Sequence, residues 1–245
     1  MTEITPAVRA DLAPTGKLRA GINYGNQILA TKDRVTGESR GVAVDLAQEL
    51  GRRLGVLVEF VAFDSVAVLG DAAPTGKWDI AFLGADPQRE ALMSFTPAYL
   101  EIEATYLVKD TSSLHKVEDV DREGIRVAAP ARANFELFLR RNLKRAQLVS
   151  APGGNAAFEL LVTDKVDALA GLTQTLSDRA QHLSGSRILE GRFMAVQQSI
   201  AVPKGRDAGL RYLLRVVEDA KASGLVAQAI ARTGIRGVSV APPAN

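Results

Sequence analysis

The sequence predicts an α/β fold in which mostly parallel β-sheets are covered by helices. Segments with strand and helix patterning alternate as β-α-β-α in two successive sets, and this order is typical of parallel sheets joined by helices. Aromatic residues make up only 5% of the chain, whereas Ala, Val and Leu are abundant, a composition that suits helices packed on a sheet. The length of 245 residues allows one or two domains, given roughly 150 residues per domain.

The first set of elements extends to about residue 108. A helix is predicted to begin at Thr5-Pro6, because Thr is a good N-cap and Pro suits the first helical position. Apolar runs predict the strands, and leucines spaced by four residues predict a helix that ends at Gly55. After the first helix the predicted order is strand 18–23, a loop or hairpin over 24–41, the helix up to residue 54, strand 56–61, a weak helix over 64–78, strand 78–84, a helix from Asp86-Pro87 to Pro97, and extended chain over 102–108.

The second set begins near residue 110 and repeats the alternation. Its strands and helices are predicted from the same two apolar periodicities. In order they are strand 125–129, a helix over 135–143, strand 148–149, a turn at 152–154, a helix around 156–161, strand 166–172, helix 174–183, extended chain over 194–202, and two terminal helices over 207–223 and 225–232.

Composition excludes several classes of protein. The chain is 47% hydrophobic and 24% charged, as in ordinary globular proteins and unlike disordered ones. A net charge of +2 indicates no nucleic-acid partner. No apolar run approaches the length of a membrane helix, so we expect no stable membrane insertion. The N-terminal residues lack the basic start and apolar stretch of a secretory signal.

The residues also limit the chemistry. There is no Cys, which excludes disulfides, thiolate metal sites and Cys nucleophiles. The two histidines, His115 and His182, have no evident Ser partner, and we interpret both as solvated. Gly70 and Gly76-Lys77 only approximate a phosphate-binding loop, because the spacing is wrong and Trp78 replaces the Ser/Thr. We therefore expect no cofactor, no metal and no catalytic residue.

The strongest candidate site follows the strand that ends at Gly84. Gly84 and Ala85 leave backbone groups accessible, and Asp86 is predicted to cap a helix whose first turn contains Arg89. Open α/β sheets bind ligands at the carboxyl ends of their strands, and helix starts offer free N–H groups to anions. An Arg fork there can hold a carboxylate with two hydrogen bonds. The alternative is that Arg89 pairs with Asp86 or Glu90 at the surface.

A matching feature occurs in the second set. Strand 125–129 leads into Pro130 and then into a helix, with Asn134 as a plausible N-cap. The alternative interpretation of Asn134 is a purely structural cap.

Five motifs in a fixed order carry a family resemblance. They are Gly16–Gly21, Gly41–Ala47 with Leu54-Gly55, Gly76–Asp79, Arg89 followed by Ser94–Tyr99, and Val166–Ala168. Together they resemble the type II periplasmic solute-binding proteins of family 3, the polar amino-acid group of ABC transporter binding proteins. The resemblance extends from about residue 16 to residue 238.

The resemblance implies a two-lobed periplasmic-binding-protein type II fold, with two strands crossing between the lobes near 104–108 and 197–200. Lobe 1 is expected to comprise residues 1–104 and 200–245, and lobe 2 residues 105–199. The lobes of this family close on a ligand in the interlobe cleft by hinge motion.

The resemblance also implies site residues. An Arg at the position of Arg89 grips the ligand carboxylate beside Gly84, Ala85 and Asp86. Two aromatic residues flank the ligand, and Tyr24 and Phe63 are the candidates, with Asn26 in the same loop as Tyr24.

In lobe 2, a helix start supplies N–H groups to the same carboxylate. It corresponds to Arg132, Ala133 and Asn134, where the family usually has Gly-Thr-Thr. Arg132 departs from that pattern, and it could add a second cationic contact or simply face water.

A larger departure concerns the ligand amine. The family places an Asp for the α-ammonium five residues after the Asp of the Asp-Ala pair, and Leu172 occupies that position here. A buried ammonium without a partner costs on the order of several kcal/mol. Glu101, Glu103 or Asp86 could replace the lost Asp; otherwise the ligand is a small organic anion or a modified amino acid.

The function expected from these features is that of a monomeric binding protein for a small carboxylate-bearing solute, with an ABC permease as partner. The resemblance implies a periplasmic location, although the missing signal implies a cytoplasmic one if Met1 is the natural start. One alternative is an enzyme on the same fold, such as a cyclohexadienyl dehydratase-like lyase, with Glu101 or Glu103 as acid/base. Another is a ligand sensor that acts without a transporter.

Overall fold

The computed structural model describes residues 3–33 and 35–244. Met1, Thr2, Arg34 and Asn245 lie outside the described residues, so the two ends of the predicted lobe 1 do so as well. The described residues form two compact units, unit 1 within the ranges 1–101 and 197–245, and unit 2 with residues 102–196. The lobe boundaries expected from the resemblance, 104 and 200, fall three residues later than 101 and 197 and stay a prediction.

Unit 1 contains a sheet whose strands run mainly parallel. Its central strands are, in order across the sheet, β4 (Leu57–Phe63), β1 (Lys17–Asn23), β5 (Ile80–Gly84) and β12 (Met194–Pro203). Strand β1 pairs in parallel with β4 and β5, and β12 pairs antiparallel with β5 and with β6 (Met93–Phe95). The elements before the first crossing are α1 Pro6–Leu12, β1 Lys17–Asn23, β2 Thr31–Lys32, β3 Ser39–Arg40, α2 Val42–Leu54, β4 Leu57–Phe63, α3 Val66–Asp71, β5 Ile80–Gly84 and β6 Met93–Phe95. Those after the second crossing are α7 Asp207–Ala222, α8 Leu225–Thr233 and β13 Val238–Val240.

Unit 2 repeats the alternation. Its order is β7-β10-β8-β9, with β8 parallel to β9 and β10 and with β7 antiparallel to β10. Its elements are β8 Arg126–Pro130, α4 Asn134–Asn142, β9 Gln147–Ala151, α5 Gly154–Val162, β10 Ala168–Leu172, α6 Thr173–Ala180 and β11 Ser186–Ile188. Two strands, β7 Leu100–Lys109 and β12 Met194–Pro203, each contain a boundary between the units.

The α/β class is confirmed, and so are most predicted elements. Thr5 caps α1 by accepting a hydrogen bond from the Val8 N–H, as its sequence position indicated. The stretch predicted as a loop or hairpin over 24–41 includes the hairpin β2–β3. Gly55 ends α2 in the left-handed conformation, with a φ of 67° that glycine adopts without steric cost.

Each unit has its own buried core. In unit 1, Trp78 is fully buried against Phe63 and Leu69, and its indole N–H donates to the Leu69 carbonyl at 3.1 Å. Gly21 lies beside this cluster, and a Cβ there would approach Leu69 Cδ1 to 2.7 Å. Gly21, the second glycine of the Gly16–Gly21 motif, is therefore required by packing.

Three of the motifs behind the resemblance contribute a residue to a structural Arg–Asp pair. Arg19 in β1 donates through its backbone and side chain to Asp79, which stands just before β5. Arg126 in β8 makes the same contacts with Asp167, which stands just before β10. Each Arg–Asp pair joins two neighbouring strands at their amino ends, once in each unit.

Candidate functional site

Arg89 lies in a turn after β5, not in a helix. Residues 87–92 form turns and are followed by β6, so the helix predicted from Asp86-Pro87 to Pro97 is wrong. Because no helix starts at Asp86, the free N–H groups of a helix start, which were expected beside Arg89, are not present there.

The local contacts explain the difference. The Asp86 carboxylate accepts the Gln88 N–H at 2.9 Å, which closes the chain two residues on and competes with a helix. The next backbone bonds link residues three apart, as in Arg89 N–H to Asp86 carbonyl at 2.9 Å. Only eight positions separate the end of β5 at Gly84 from the start of β6 at Met93.

The Arg89 guanidinium is nevertheless held at the end of β5. Its Nη1 donates to the Gly84 carbonyl at 2.7 Å, and the residue is only 9% exposed. Asp86 is also buried. The Ala85 N–H donates to the Gln197 carbonyl of β12 at 3.0 Å. Both polar groups of the peptide bond between Gly84 and Ala85 are therefore hydrogen-bonded, the carbonyl to Arg89 and the N–H to Gln197.

Unit 1 gathers several predicted residues at one sheet edge. Because β4, β1 and β5 are parallel neighbours, their carboxyl ends lie at the same edge of the sheet. The residues at these ends are Phe63 for β4, Tyr24 and Asn26 for β1, and Gly84 to Arg89 for β5. This arrangement of side chains supports a ligand site at that edge.

The two aromatic candidates have different surroundings. Phe63 is buried and belongs to the core cluster with Trp78. Tyr24 is half-buried; its N–H donates to the Phe63 carbonyl at 3.3 Å, and its hydroxyl hydrogen-bonds with Ser39 of β3. Asn26 Oδ1 accepts the Ile28 N–H at 3.3 Å. Contact of these residues with a ligand stays a prediction.

In unit 2, the predicted residues before α4 surround a strained backbone position. Arg132 is exposed and has a φ of 62°, in the left-handed region that favours glycine. Glu136, which is fully buried, accepts the Arg132 N–H at 3.0 Å, the Ser150 hydroxyl at 2.6 Å and a hydrogen bond from Arg140. The left-handed φ accounts for the glycine that the resembling family has at this position.

The expected N-cap of α4 is wrong. Ala133 occupies the cap position, and Asn134 is the buried first residue of the helix. Glu136 explains this, because its carboxylate reaches back to the Arg132 N–H and stabilises the residues before the helix from inside its first turn.

Leu172 stands at the carboxyl end of β10, next to the end of β8. These strands are parallel neighbours, so Leu172 and the segment from Arg132 to Asn134 lie at the same edge of the unit 2 sheet. Leu172 is half-buried and supplies no polar side chain.

The two glutamates considered as substitutes for the lost Asp are already engaged. Glu101 Oε1 accepts a hydrogen bond from Gln197 Nε2 at 2.6 Å. Glu103 Oε1 pairs with Arg192 Nη1 at 3.1 Å, and both side chains are exposed.

Sequence reasoning missed Gln198 of β12. It lies opposite Gly84 in the antiparallel pair β12–β5 and is only 3% exposed. Its side-chain oxygen Oε1 is buried without a hydrogen-bond partner among residues 3–33 and 35–244. The available signal was the run of polar residues Gln197, Gln198 and Ser199 inside an otherwise apolar strand.

None of the helices in the described part of the chain is long and apolar enough to cross a membrane. Within those residues, no group of three or more His, Asp or Glu side chains is placed to hold a metal ion.

A family model matches most of the chain. The model for bacterial extracellular solute-binding proteins, family 3, covers residues 18–233. A cyclohexadienyl dehydratase of Pseudomonas aeruginosa is 25% identical over 200 residues, which are 78% of this chain and 73% of that protein.

Solved structures show the same fold. A mutant of the protein ArgBP from T. maritima has a TM-score of 0.74 at 23% identity, over 92% of this chain and 98% of that one. The binding protein AbpA of Streptococcus pneumoniae, bound to L-arginine, gives 0.74 at 20% identity, over 90% and 95%. The ancestral amino acid-binding protein AncCDT-1 gives 0.74 at 24% identity, over 91% and 96%.

The fold is therefore the two-lobed periplasmic-binding-protein type II fold. With the family model matched from residue 18 to residue 233, the chain belongs to the family 3 bacterial extracellular solute-binding proteins.

Proposed function

We propose that this protein binds a small carboxylate-bearing solute and delivers it to an ABC importer without transforming it. One observation carries the proposal: a buried guanidinium, that of Arg89, is anchored by Gly84 at the carboxyl end of β5. A guanidinium partly desolvated by protein forms charge-assisted hydrogen bonds with a carboxylate that are about twice as strong as neutral ones.

The remaining site residues are assigned in the same proposal. Tyr24, Asn26 and Phe63 flank the ligand from lobe 1, and Gly84, Ala85 and Asp86 surround the Arg89 contact. From lobe 2, the segment formed by Arg132, Ala133 and Asn134 supplies backbone N–H groups, and Leu172 covers the ligand with an apolar side chain.

A cavity elsewhere in unit 1, which Arg89 does not line, is a poorer candidate for the carboxylate. It measures about 860 Å³ and lies between the hairpin β2–β3, α2 and α8. Two cations on its wall are already paired, Arg40 with Glu38 at 3.0 Å and Arg232 with Asp45 at 2.7 Å. An incoming carboxylate there would compete with these acids.

Leu172 shapes the proposed ligand class. An apolar side chain stands where the family holds the α-ammonium, and Glu101 and Glu103 already have partners. We therefore favour an organic anion or a modified amino acid, although structural neighbours such as AbpA bind an ordinary amino acid.

The membership of family 3 supports a periplasmic location, and we propose that the protein is a monomer. A sensor that acts without a transporter would use the same ligand site, and only a partner assay distinguishes the two.

A dehydratase is the second candidate function, favoured by the 25% identity to the Pseudomonas enzyme. It needs an acid/base group at the ligand, and both glutamates considered for that role already have side-chain partners, Gln197 for Glu101 and Arg192 for Glu103. Incubation with prephenate or arogenate, followed by absorbance, tests the enzyme directly. Turnover would replace binding as the protein's role.

A thermal-shift screen tests the proposed function. We expect organic carboxylates and modified amino acids to raise the melting temperature, and common L-amino acids to raise it less. Strong stabilisation by common L-amino acids with none by other carboxylates would contradict the ligand class. No stabilisation by any carboxylate would contradict the binding function itself.

A further inference from the structure

Gln198 combines deep burial with an unused hydrogen-bond acceptor. The residue is 3% exposed, and its Oε1 has no hydrogen-bond partner among the described residues. Most buried side-chain polar atoms in proteins are hydrogen-bonded. Those that are not usually have a reason, because an unpaired amide oxygen loses its hydration and gains nothing in return.

The position of Gln198 relates it to the Arg89 anchor. Gln198 is the direct partner of Gly84 in the β12–β5 register, and Gly84 accepts the hydrogen bond from Arg89 Nη1. Side chains of directly opposite residues lie on the same face of an antiparallel pair. Because Gly84 has no side chain, no side chain at position 84 covers the Gln198 amide on that face.

Gln198 offers an acceptor of a particular kind, an amide oxygen without charge. A neutral acceptor does not need a full positive charge opposite it, and a hydroxyl or amide N–H satisfies it equally well.

We propose that Gln198 is a specificity-determining residue whose Oε1 accepts a hydrogen bond from an uncharged donor, such as a 2-hydroxyl, next to the ligand carboxylate. The inference rests on the proposed function, because it takes Arg89 as the carboxylate contact. It assigns the ligand to the carboxylates that carry such a donor.

A purely structural role for Gln198 would involve Tyr99. The Tyr99 hydroxyl is fully buried and also lacks a partner among residues 3–33 and 35–244, while the Tyr99 N–H donates to the Gln198 carbonyl at 2.8 Å. Burial raises the pKa of the Tyr99 hydroxyl far above its usual value, which keeps it a neutral donor. If the Tyr99 hydroxyl and the Gln198 amide oxygen were hydrogen-bonded to the same third group, replacing either residue would change stability and not ligand specificity.

The test uses matched pairs of 2-hydroxy and 2-keto acids: lactate and pyruvate, phenyllactate and phenylpyruvate, and 2-hydroxyglutarate and 2-oxoglutarate. Dissociation constants are measured by calorimetry for the wild type and for Gln198→Leu. We expect the wild type to bind the hydroxy acid of its preferred pair about tenfold more tightly or better, and the variant to lose this preference. Ser199→Ala, at a buried polar residue on the opposite face of β12, is the control and keeps the preference.

Stability separates the specificity role from the structural one. Gln198→Leu removes an unpaired buried amide, so we expect an equal or higher melting temperature together with weaker discrimination. Gln198→Glu provides an independent arm, because a charged acceptor should shift preference from the hydroxy acid towards the corresponding L-amino acid. Tyr99→Phe should leave the ligand preference unchanged.

The outcomes are distinguishable. Equal binding of both members of every pair, or a preference that survives Gln198→Leu and Gln198→Glu, overturns the inference while the proposed function stands. A lower melting temperature of Gln198→Leu, matched by Tyr99→Phe and with no change in preference, identifies a structural pair and also overturns it. If neither these acids nor the corresponding L-amino acids bind, both the inference and the proposed function fail.

Discussion

The carboxylate of Glu136 accepts the backbone N–H of Arg132, the residue that takes a left-handed φ of 62° just before α4. A non-glycine residue in this conformation costs on the order of 1–3 kcal/mol. The segment that the family uses to contact ligand is thus held in a strained form by a buried acid in the same unit.

Arg132→Gly is expected to stabilise the unliganded protein. Glycine adopts a positive φ without strain, and part of the gain is lost to the greater freedom of the unfolded chain, which leaves about 1 kcal/mol in the free energy of unfolding. Urea denaturation measures it. Arg215→Gly, at an exposed position inside α7, is the control and should lower stability by about 1 kcal/mol. Equal losses at both positions would show that Arg132 is not strained.

Glu136→Ala is expected to destabilise unit 2 and release the segment before α4. The Arg132 N–H and the Ser150 hydroxyl lose their acceptor, at a cost of about 2 kcal/mol. Hydrogen exchange of the Arg132 amide should accelerate along with the drop in stability. Glu136→Gln keeps an acceptor oxygen and should retain most of the protection; identical exchange in all three proteins would disprove the role of Glu136.

Asp79→Ala and Asp167→Ala test the two equivalent Arg–Asp pairs. The Asp79 side chain is fully buried, whereas that of Asp167 is 33% exposed. Removing the partner of Arg19 inside the protein should cost about 3 kcal/mol. The loss at Asp167 should be clearly smaller because water screens that pair. Thermal and urea unfolding of both variants compare them directly, and the reverse order would contradict this account.

Glu49 gives the protein an acid-sensitive contribution to stability. A side-chain hydrogen bond from Arg52, opposed by burial and reinforced by Arg53, lowers the pKa of Glu49 to about 2. The folded pKa lies below the unfolded value of about 4.3, so the stabilisation is complete above that value and is lost as pH falls towards 2. The stability difference between wild type and Glu49→Gln should therefore be largest at pH 7 and shrink between pH 5 and pH 2. A difference independent of pH would contradict this.

Strong periodic signals predicted most of the fold. The buried strands β5 and β10 and the capped helix α1 follow from apolar runs and from Thr5-Pro6. The structure of the segment after β5 was not predicted correctly, because the residues Asp86-Pro87 can start either a turn or a helix. The Asp86 carboxylate accepts the N–H two residues ahead, as in a turn, and not the N–H three residues ahead, as in a helix cap. The chain reaches β6 within a few residues, which leaves little room for a helix.

The site was predicted in part. Arg89 was singled out from the end of the strand at Gly84 and from its charge, although the helix expected around it is a turn; the sheet order brings Phe63 and Tyr24 to the same edge. Neither the left-handed φ of Arg132 nor the unpaired amide of Gln198 is visible in a sequence. The first depends on a hydrogen bond to Glu136, and the second on which groups surround a buried side chain.

The most direct test of the account pairs a change in the ligand with a change at Arg89. Calorimetry would compare the best carboxylate ligand with its primary amide, in the wild type and in Arg89→Gln. If Arg89 grips the carboxylate, the amide should bind about 100-fold more weakly to the wild type, and Arg89→Gln should bind both forms with similar, low affinity. Equal affinities of the wild type for acid and amide, or a full preference for the acid in Arg89→Gln, would contradict the account.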